Sequence, residues 1–211
     1  MVRSRSPAKP DRAGSRRHRS RRRPSQTRGD HKIEILLEAE GLYERLDAPP
    51  CVCFIDLTGY TRLTEEQGDQ AAADLAERLG ALVERISVRF EGRPIRWLGD
   101  GGMFVFREPR AAAEAALEVA ERAVAGGLPP THTGIHCGPV VFQDGDIYGR
   151  TVNIAARLSA AAGPGEVLIS DAVAGRLPTG FDVEDLGPVE IKGLAEPLRT
   201  YRLRSGRAPV R

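Results

Sequence analysis

The stretch "VCFIDLTGY" constrains this chain more than any other part of it. Val52 to Ile55 reads as a buried strand, yet the run ends on a carboxylate, Asp56, just before a Gly-containing turn. Burying a charge is costly unless it is paired or holds a metal. The fold must therefore bring another group to Asp56 at the end of that strand.

The order of the remaining elements limits what that group can be. From Gln70, the positions Leu75, Leu79, Leu82, Val83, Ile86 and Phe90 recur at helical spacing, which predicts a long helix with one apolar face, closed at Gly92. "PIRWLGDGGMFVF" holds two short apolar runs around "GDGG" and predicts a β-hairpin. "PRAAAEAALEVAERAVAGG" is an alanine-rich helix stopped by two glycines, and "THTGIHCGPVVFQDGD" supplies further strand material. "GRTVNIAARLSAAAG" is helical again and "GEVLIS" is a strand. Strand, helix, hairpin, helix, strand is the order of the split βαβ motif, so the expected class is α/β in the α+β sense, with a ferredoxin-like βαββαβ core. At 211 residues, 41% hydrophobic and only 5% aromatic, the chain suits one ordinary core.

Charge divides the chain. Residues 1–32 carry 12 Lys and Arg against Asp11 and Asp30, whereas the remainder carries 19 basic against 27 acidic residues. The Arg-rich segment has almost no apolar residues with which to offset its ordering entropy, so 1–32 is expected to be a disordered tail. Contact of this basic tail with nucleic acid or an anionic surface is the functional reading of it, and a solvated extension the plainer one. Residues 33–50 are expected to form a short amphipathic helix and linker closed by Pro49 and Pro50, 51–204 the globular domain, and 205–211 a C-terminal tail. No apolar h-region follows the basic residues and no run is long enough to span a bilayer, which points to the cytoplasm. Cys51, Cys53 and Cys137 lie in apolar strand-like stretches and are expected to be buried free thiols.

Two carboxylates stand at matched places. Asp56 ends one strand and Asp100 sits in the hairpin turn, and those strands can be neighbours in a ferredoxin-like sheet. Two hard oxygen ligands at one edge suit Mg²⁺ or Mn²⁺ bound together with substrate phosphates. The alternative makes Asp56 a cap and Asp100 an ordinary turn residue. In "GDIYGRTVNIAARL", Asn153 and Arg157 are four apart and share a helix face, Asp146 precedes the helix, and a helix start near Gly149 favours an anion. A capping Asn and a solvated Arg are the plainer reading of that pair. His132 and His136, four apart in strand-like sequence, read as core or surface strand residues. "GxxxxGK[ST]" is absent, which excludes a P-loop, and "GDGG" lacks the Gly-Gly-acidic-acidic-Phe signature of diguanylate cyclases.

Taken together, "FIDLTGY", "WLGDGG" and "GDIYGRTVNIAARL" resemble the class III adenylate/guanylate cyclase catalytic domain, and the closing "DLGPVEIKGLAEPLRTYRL" is similar to the end of bacterial members. The resemblance runs from about Val52 to Leu203 and implies extra C-terminal strands beyond the ferredoxin-like core. It implies conversion of ATP to cyclic AMP, with Asp56 and Asp100 holding two divalent cations, Mg²⁺ or Mn²⁺. By the same resemblance Asn153 orients the ribose, Arg157 neutralises charge on the α-phosphate, and Arg96 and Asp146 face the purine. The resemblance also implies sites shared across a homodimer. Arg96 stands where the family carries Lys, which leaves ATP the expected substrate with GTP as the alternative, because an Arg fork can serve either purine or pair with Asp146 instead. A catalytically silent cyclase-like module for dimerisation or nucleotide sensing is the competing implication.

Overall fold

The computed structural model describes residues 49–205. The helix expected within 33–48 and both tails lie outside the described residues. In chain order the elements are β1 (Cys51–Leu57), α1 (Tyr60–Gln67), α2 (Asp69–Arg89), β2 (Arg93–Leu98), β3 (Gly101–Phe106), α3 (Pro109–Ala125) and β4 (Thr131–Cys137). There follow β5 (Val141–Gln143), β6 (Asp146–Tyr148), α4 (Arg150–Ala161), β7 (Val167–Ser170), α5 (Asp171–Ala174), β8 (Asp182–Val189) and β9 (Leu198–Arg204).

Seven strands form one sheet in the order β2-β3-β1-β4-β7-β9-β8, and β5 and β6 form a separate ribbon. The first four have the antiparallel order of the split βαβ motif, and β7, β9 and β8 extend it beyond β4. Alternation along β1 divides the core. Cys53, Ile55 and Leu57 face α2 and α3, where Leu79, Val83, Ile86, Phe104 and Phe106 complete the largest apolar cluster. Val52 lies on the other face, with Met103, Val105, Ile147 and Ala155. Helix α3 lies close on its cluster because Ala112, Ala113, Ala115 and Ala116 are fully buried and small.

Several details differ from the sequence expectation, for local reasons. Helix α2 ends at Arg89, and the left-handed position after it is taken by Glu91 (φ 59°). Its N–H donates to Val88 O while that of Gly92 donates to Ser87 O, the double bond of a Schellman ending. Gly92 is needed for space instead, since a Cβ there would lie 2.6 Å from Cζ of the Phe106 ring. The short helices α1 and α5 were not expected; α1 has no buried residue and so no apolar stripe to betray it. Asp146 opens a three-residue strand, β6, just before the helix.

The free-thiol reading is corrected for two of the three cysteines. Cys51 and Cys137 are joined by a disulfide, and only Cys53 remains a buried thiol, its pKa pushed up by burial. The two bonded residues face each other across β1 and β4. Gly138 N–H donates to Pro50 O, so the pair is a non-hydrogen-bonded one, the closer of the two antiparallel spacings, with Cα atoms 4.0 Å apart. Eighty-six residues separate them in sequence, so nothing local signals the pairing.

The tightest layer contact is between α4 and β4. A Cβ on Gly134 would lie 2.7 Å from the backbone carbon of Leu158 and would overlap the Ser159 nitrogen and Ala155 oxygen. Backbone cannot yield as a side chain can. Gly134→Ala is therefore expected to cost about 3 kcal/mol, at the upper end of ordinary overpacking. A melting temperature lowered by roughly 6–12 °C would register that cost in a domain of this size.

Candidate active site

The register of β1 builds the site. Asp56 lies opposite Gly101 on β3 and opposite His132 on β4. Asp100 immediately precedes Gly101, so the β2–β3 turn delivers its carboxyl to Asp56. Leu57 N–H donates to Asp100 O at 3.3 Å and to Asp56 Oδ1 at 3.1 Å, which ties the strand end to the turn. Gly101 makes the approach possible: a Cβ there would fall 2.5 Å from Asp56 Oδ1 and 3.0 Å from Ile55 O. Trp97 steadies the turn from outside, donating from Nε1 to Gly99 O at 2.9 Å and standing edge-on to Phe104.

The group that meets Asp56 is thus a second carboxyl. Burial first, then the negative charge of Asp100 and the hydrogen bond between the two, raise the Asp56 pKa to about 7; the Leu57 N–H works against them. Two half-buried carboxyls in contact are a poor arrangement for stability alone. Their oxygens are hard donors suited to Mg²⁺ or Mn²⁺, with water or phosphate oxygens completing the shell. Among the described residues no third His, Cys, Asp or Glu joins them.

A cleft of about 210 Å³ opens beside the pair, lined by Asp56, Arg96, Gly101, Met103, His132 and Ser159 among others. Arg96 on β2 forms an ion pair with Asp146 on β6, and Asp146 Oδ1 also accepts from Ile147 N–H at 2.8 Å. These two were expected together, and they are in direct contact. His132 was read as an unremarkable strand residue; it lines the cleft, its Nδ1 2.9 Å from Ser159 O. No sequence signal marked its place there, because that place comes from standing opposite Asp56 on another strand. His136 makes a 2.7 Å contact with Ser170 Oγ instead.

Asn153 and Arg157 lie one turn apart on α4, as their spacing required. Asn153 is exposed, and Arg157 donates from Nη1 to Lys192 O in the loop between β8 and β9. Neither contacts Asp56 or Asp100 among the described residues. Their helix still borders the cleft, through Ala156, Ser159 and Ala160.

The chain resembles known proteins in sequence and fold. The family model described as "Adenylate and Guanylate cyclase catalytic domain" matches residues 131–205. The chain carries a class III adenylate/guanylate cyclase catalytic domain. A pH-sensitive adenylate cyclase of Mycobacterium tuberculosis is 31% identical over 164 residues, covering 74% of this chain and 40% of that protein. An adenylate cyclase of Glutamicibacter nicotianae is 37% identical over 123 residues, covering 58% and 30%. The chain therefore spans well under half the length of these relatives. The crystal structure of an adenylate/guanylate cyclase/hydrolase from Silicibacter pomeroyi matches this cyclase domain with a TM-score of 0.59 at 29% identity, over 76% of this chain and 99% of that one. The adenylyl cyclase CyaB of P. aeruginosa matches in fold with a TM-score of 0.66 at 24% identity, over 77% and 97%. No helix among the described residues is long and apolar enough to cross a membrane.

The raised Asp56 pKa fixes the sign of a pH effect in metal-free protein. The folded domain binds its proton more tightly than the unfolded chain, whose Asp titrates near 3.8, so this group's stabilisation is complete below about pH 4 and lost as pH rises through about 7. His136, its pKa lowered mainly by burial, works in the opposite direction near neutrality, so the effect is read as a difference between proteins. Melting temperatures from pH 4 to 8 are expected to fall for the wild type relative to Asp56→Asn, and parallel curves would refute the carboxyl contact.

Proposed function

We propose that residues 51–204 form a catalytic unit that converts ATP to 3′,5′-cyclic AMP and pyrophosphate, in the cytoplasm and for intracellular signalling, at two sites shared across a homodimer. One observation carries this reading: Asp56 and Asp100 meet at adjoining strand ends, while Asn153 and Arg157, one turn apart on α4, contact neither of them among the described residues. A cleft of about 210 Å³ is also small beside the roughly 300–1,000 Å³ of sites that enclose a drug-sized ligand. A nucleoside triphosphate needs more wall than one protomer supplies, and a symmetric pair would place the α4 residues of one copy against the carboxyls of the other.

In this reading Asp56 and Asp100 hold two divalent cations, Mg²⁺ or Mn²⁺. Cations so placed supply charge for both the attacking ribose 3′-oxygen and the departing pyrophosphate. Asn153 orients the ribose through its amide. Arg157 offers fixed N–H donors to the α-phosphate oxygens as negative charge grows there, a kind of preorganised stabilisation worth on the order of 10²-fold in rate. The purine meets Arg96 and Asp146. An Asp carboxylate accepts from the adenine 6-amino group, and a guanidinium donates to N1 of adenine or O6 of guanine, so the pair discriminates weakly. Because Arg96 and Asp146 already bind each other, the base must displace part of that contact. The same contact favours the second reading, a cyclase-like module that binds or senses nucleotide without turnover.

The deciding assay measures cyclic nucleotide from ATP or GTP with Mg²⁺ or Mn²⁺. Wild type is expected to prefer ATP by no more than about tenfold, and Asp100→Ala to fall by at least about 10²-fold. A strong GTP preference would reassign the purine pocket, and no product from a protein shown to be dimeric would favour the silent module. Arg96→Lys, which removes the planar fork, is expected to raise the ATP-to-GTP ratio of kcat/KM.

Shared sites make a further demand. Asp100→Ala mixed with Arg157→Ala is expected to recover roughly a quarter of wild-type activity, since half the dimers are mixed and each of those has one intact site of two. Failure of the mixture, with both variants dimeric and folded, would place all four residues in one chain's site.

A further inference from the structure

Arg157 is held from behind. Residues Ile191 to Leu194, between β8 and β9, form a β-turn in which Leu194 N–H donates to Ile191 O at 2.9 Å, with Lys192 and Gly193 at its centre. Gly193 has φ 83°, which is what the third position of a type II turn requires. The carbonyl between the two central residues, Lys192 O, takes no part in closing the turn, and it accepts the hydrogen bond from Arg157 Nη1. Ile191 anchors the turn in the apolar cluster that also buries Ile154 and Leu158 of α4, with Leu194 packed against it, so helix and turn are fixed to the same base.

Gly193 matters for space as well as for φ. A Cβ there would lie 2.6 Å from Cζ of Arg157 and would overlap Nη1. The obstructed group is the far end of a flexible side chain, so an added methyl displaces the guanidinium and leaves the backbone in place. With one donor on Lys192 O, the remaining guanidinium N–H groups are free for a ligand.

We propose that the Lys192–Gly193 turn is the positioning element for Arg157, fixing its guanidinium so that the remaining donors face the transferred phosphate. Its catalytic consequence rests on the cyclase reading above; the contact itself does not.

Gly193→Ala provides the test, with Gly187→Ala as control. Gly187 lies in β8 of the same hairpin with a similar φ of 73°, but a Cβ there meets nothing within 4 Å. Both glycines lie at similar positive φ, so both substitutions strain the backbone, and only one displaces Arg157. Gly193→Ala is expected to lower kcat on the order of 10²-fold with KM changed less than about threefold, as a misplaced transition-state group does. Gly187→Ala should keep kcat within about threefold, as a strained but remote glycine would. Melting temperatures supply a second readout: Gly193→Ala should lower them more in the wild-type background than in Arg157→Ala, where the overlap is gone. Equal drops in the two backgrounds, or an active wild type whose kcat survives Gly193→Ala, would overturn the proposal. A wild type without turnover would defeat the cyclase reading, and the melting comparison would still decide whether the turn holds Arg157.

Discussion

The site depends on the register with which β1 lies between β3 and β4. Side chains alternate along a strand, so a slip of one residue would send Asp56 to the face packed on α2 and α3. The buried residues Cys53, Ile55 and Leu57 make that slip costly, because all three would leave the cluster formed with α2 and α3. Asp56 is thus held by the apolar residues beside it. Its carboxyl meets Asp100 because the partners that pack β1 also align it with Gly101.

Glycines set how closely these layers approach, each for a distinct reason. Gly134 admits the backbone of α4 against β4, Gly101 admits the Asp56 carboxylate, and Gly193 admits the Arg157 guanidinium. The first is a requirement of the fold. The other two give up side-chain contacts so that a charged group can occupy a defined place, in keeping with sites that trade some stability for geometry. The contact between the two carboxyls has the same character, since repulsion in a half-buried place disfavours the folded state near neutral pH.

The polar groups are carried by different elements of the fold. Asp56 and Asp100 sit at the end of the central strands, and Asn153 and Arg157 on a helix whose other side packs on β4 and β7. Arg96 and Asp146 link the edge strand β2 to the β5–β6 ribbon, so their contact depends on a ribbon outside the main sheet.

Periodicity along the chain was enough for the long helices, the β2–β3 hairpin and the βαββαβ order, because burial imposes a repeat of 3.6 or 2 that local sequence displays. Motif spacing likewise placed Asn153 and Arg157 on one face and set Asp56 and Asp100 at matched strand ends. Tertiary structure alone decided the rest. Helix α1 buries no residue and so shows no stripe, the disulfide joins residues 86 positions apart, and His132 enters the cleft only because β4 pairs with β1. The hold on Arg157 by Lys192 and Gly193 is of the same kind. Such contacts arise between elements distant in sequence, and no local pattern encodes a distance between them.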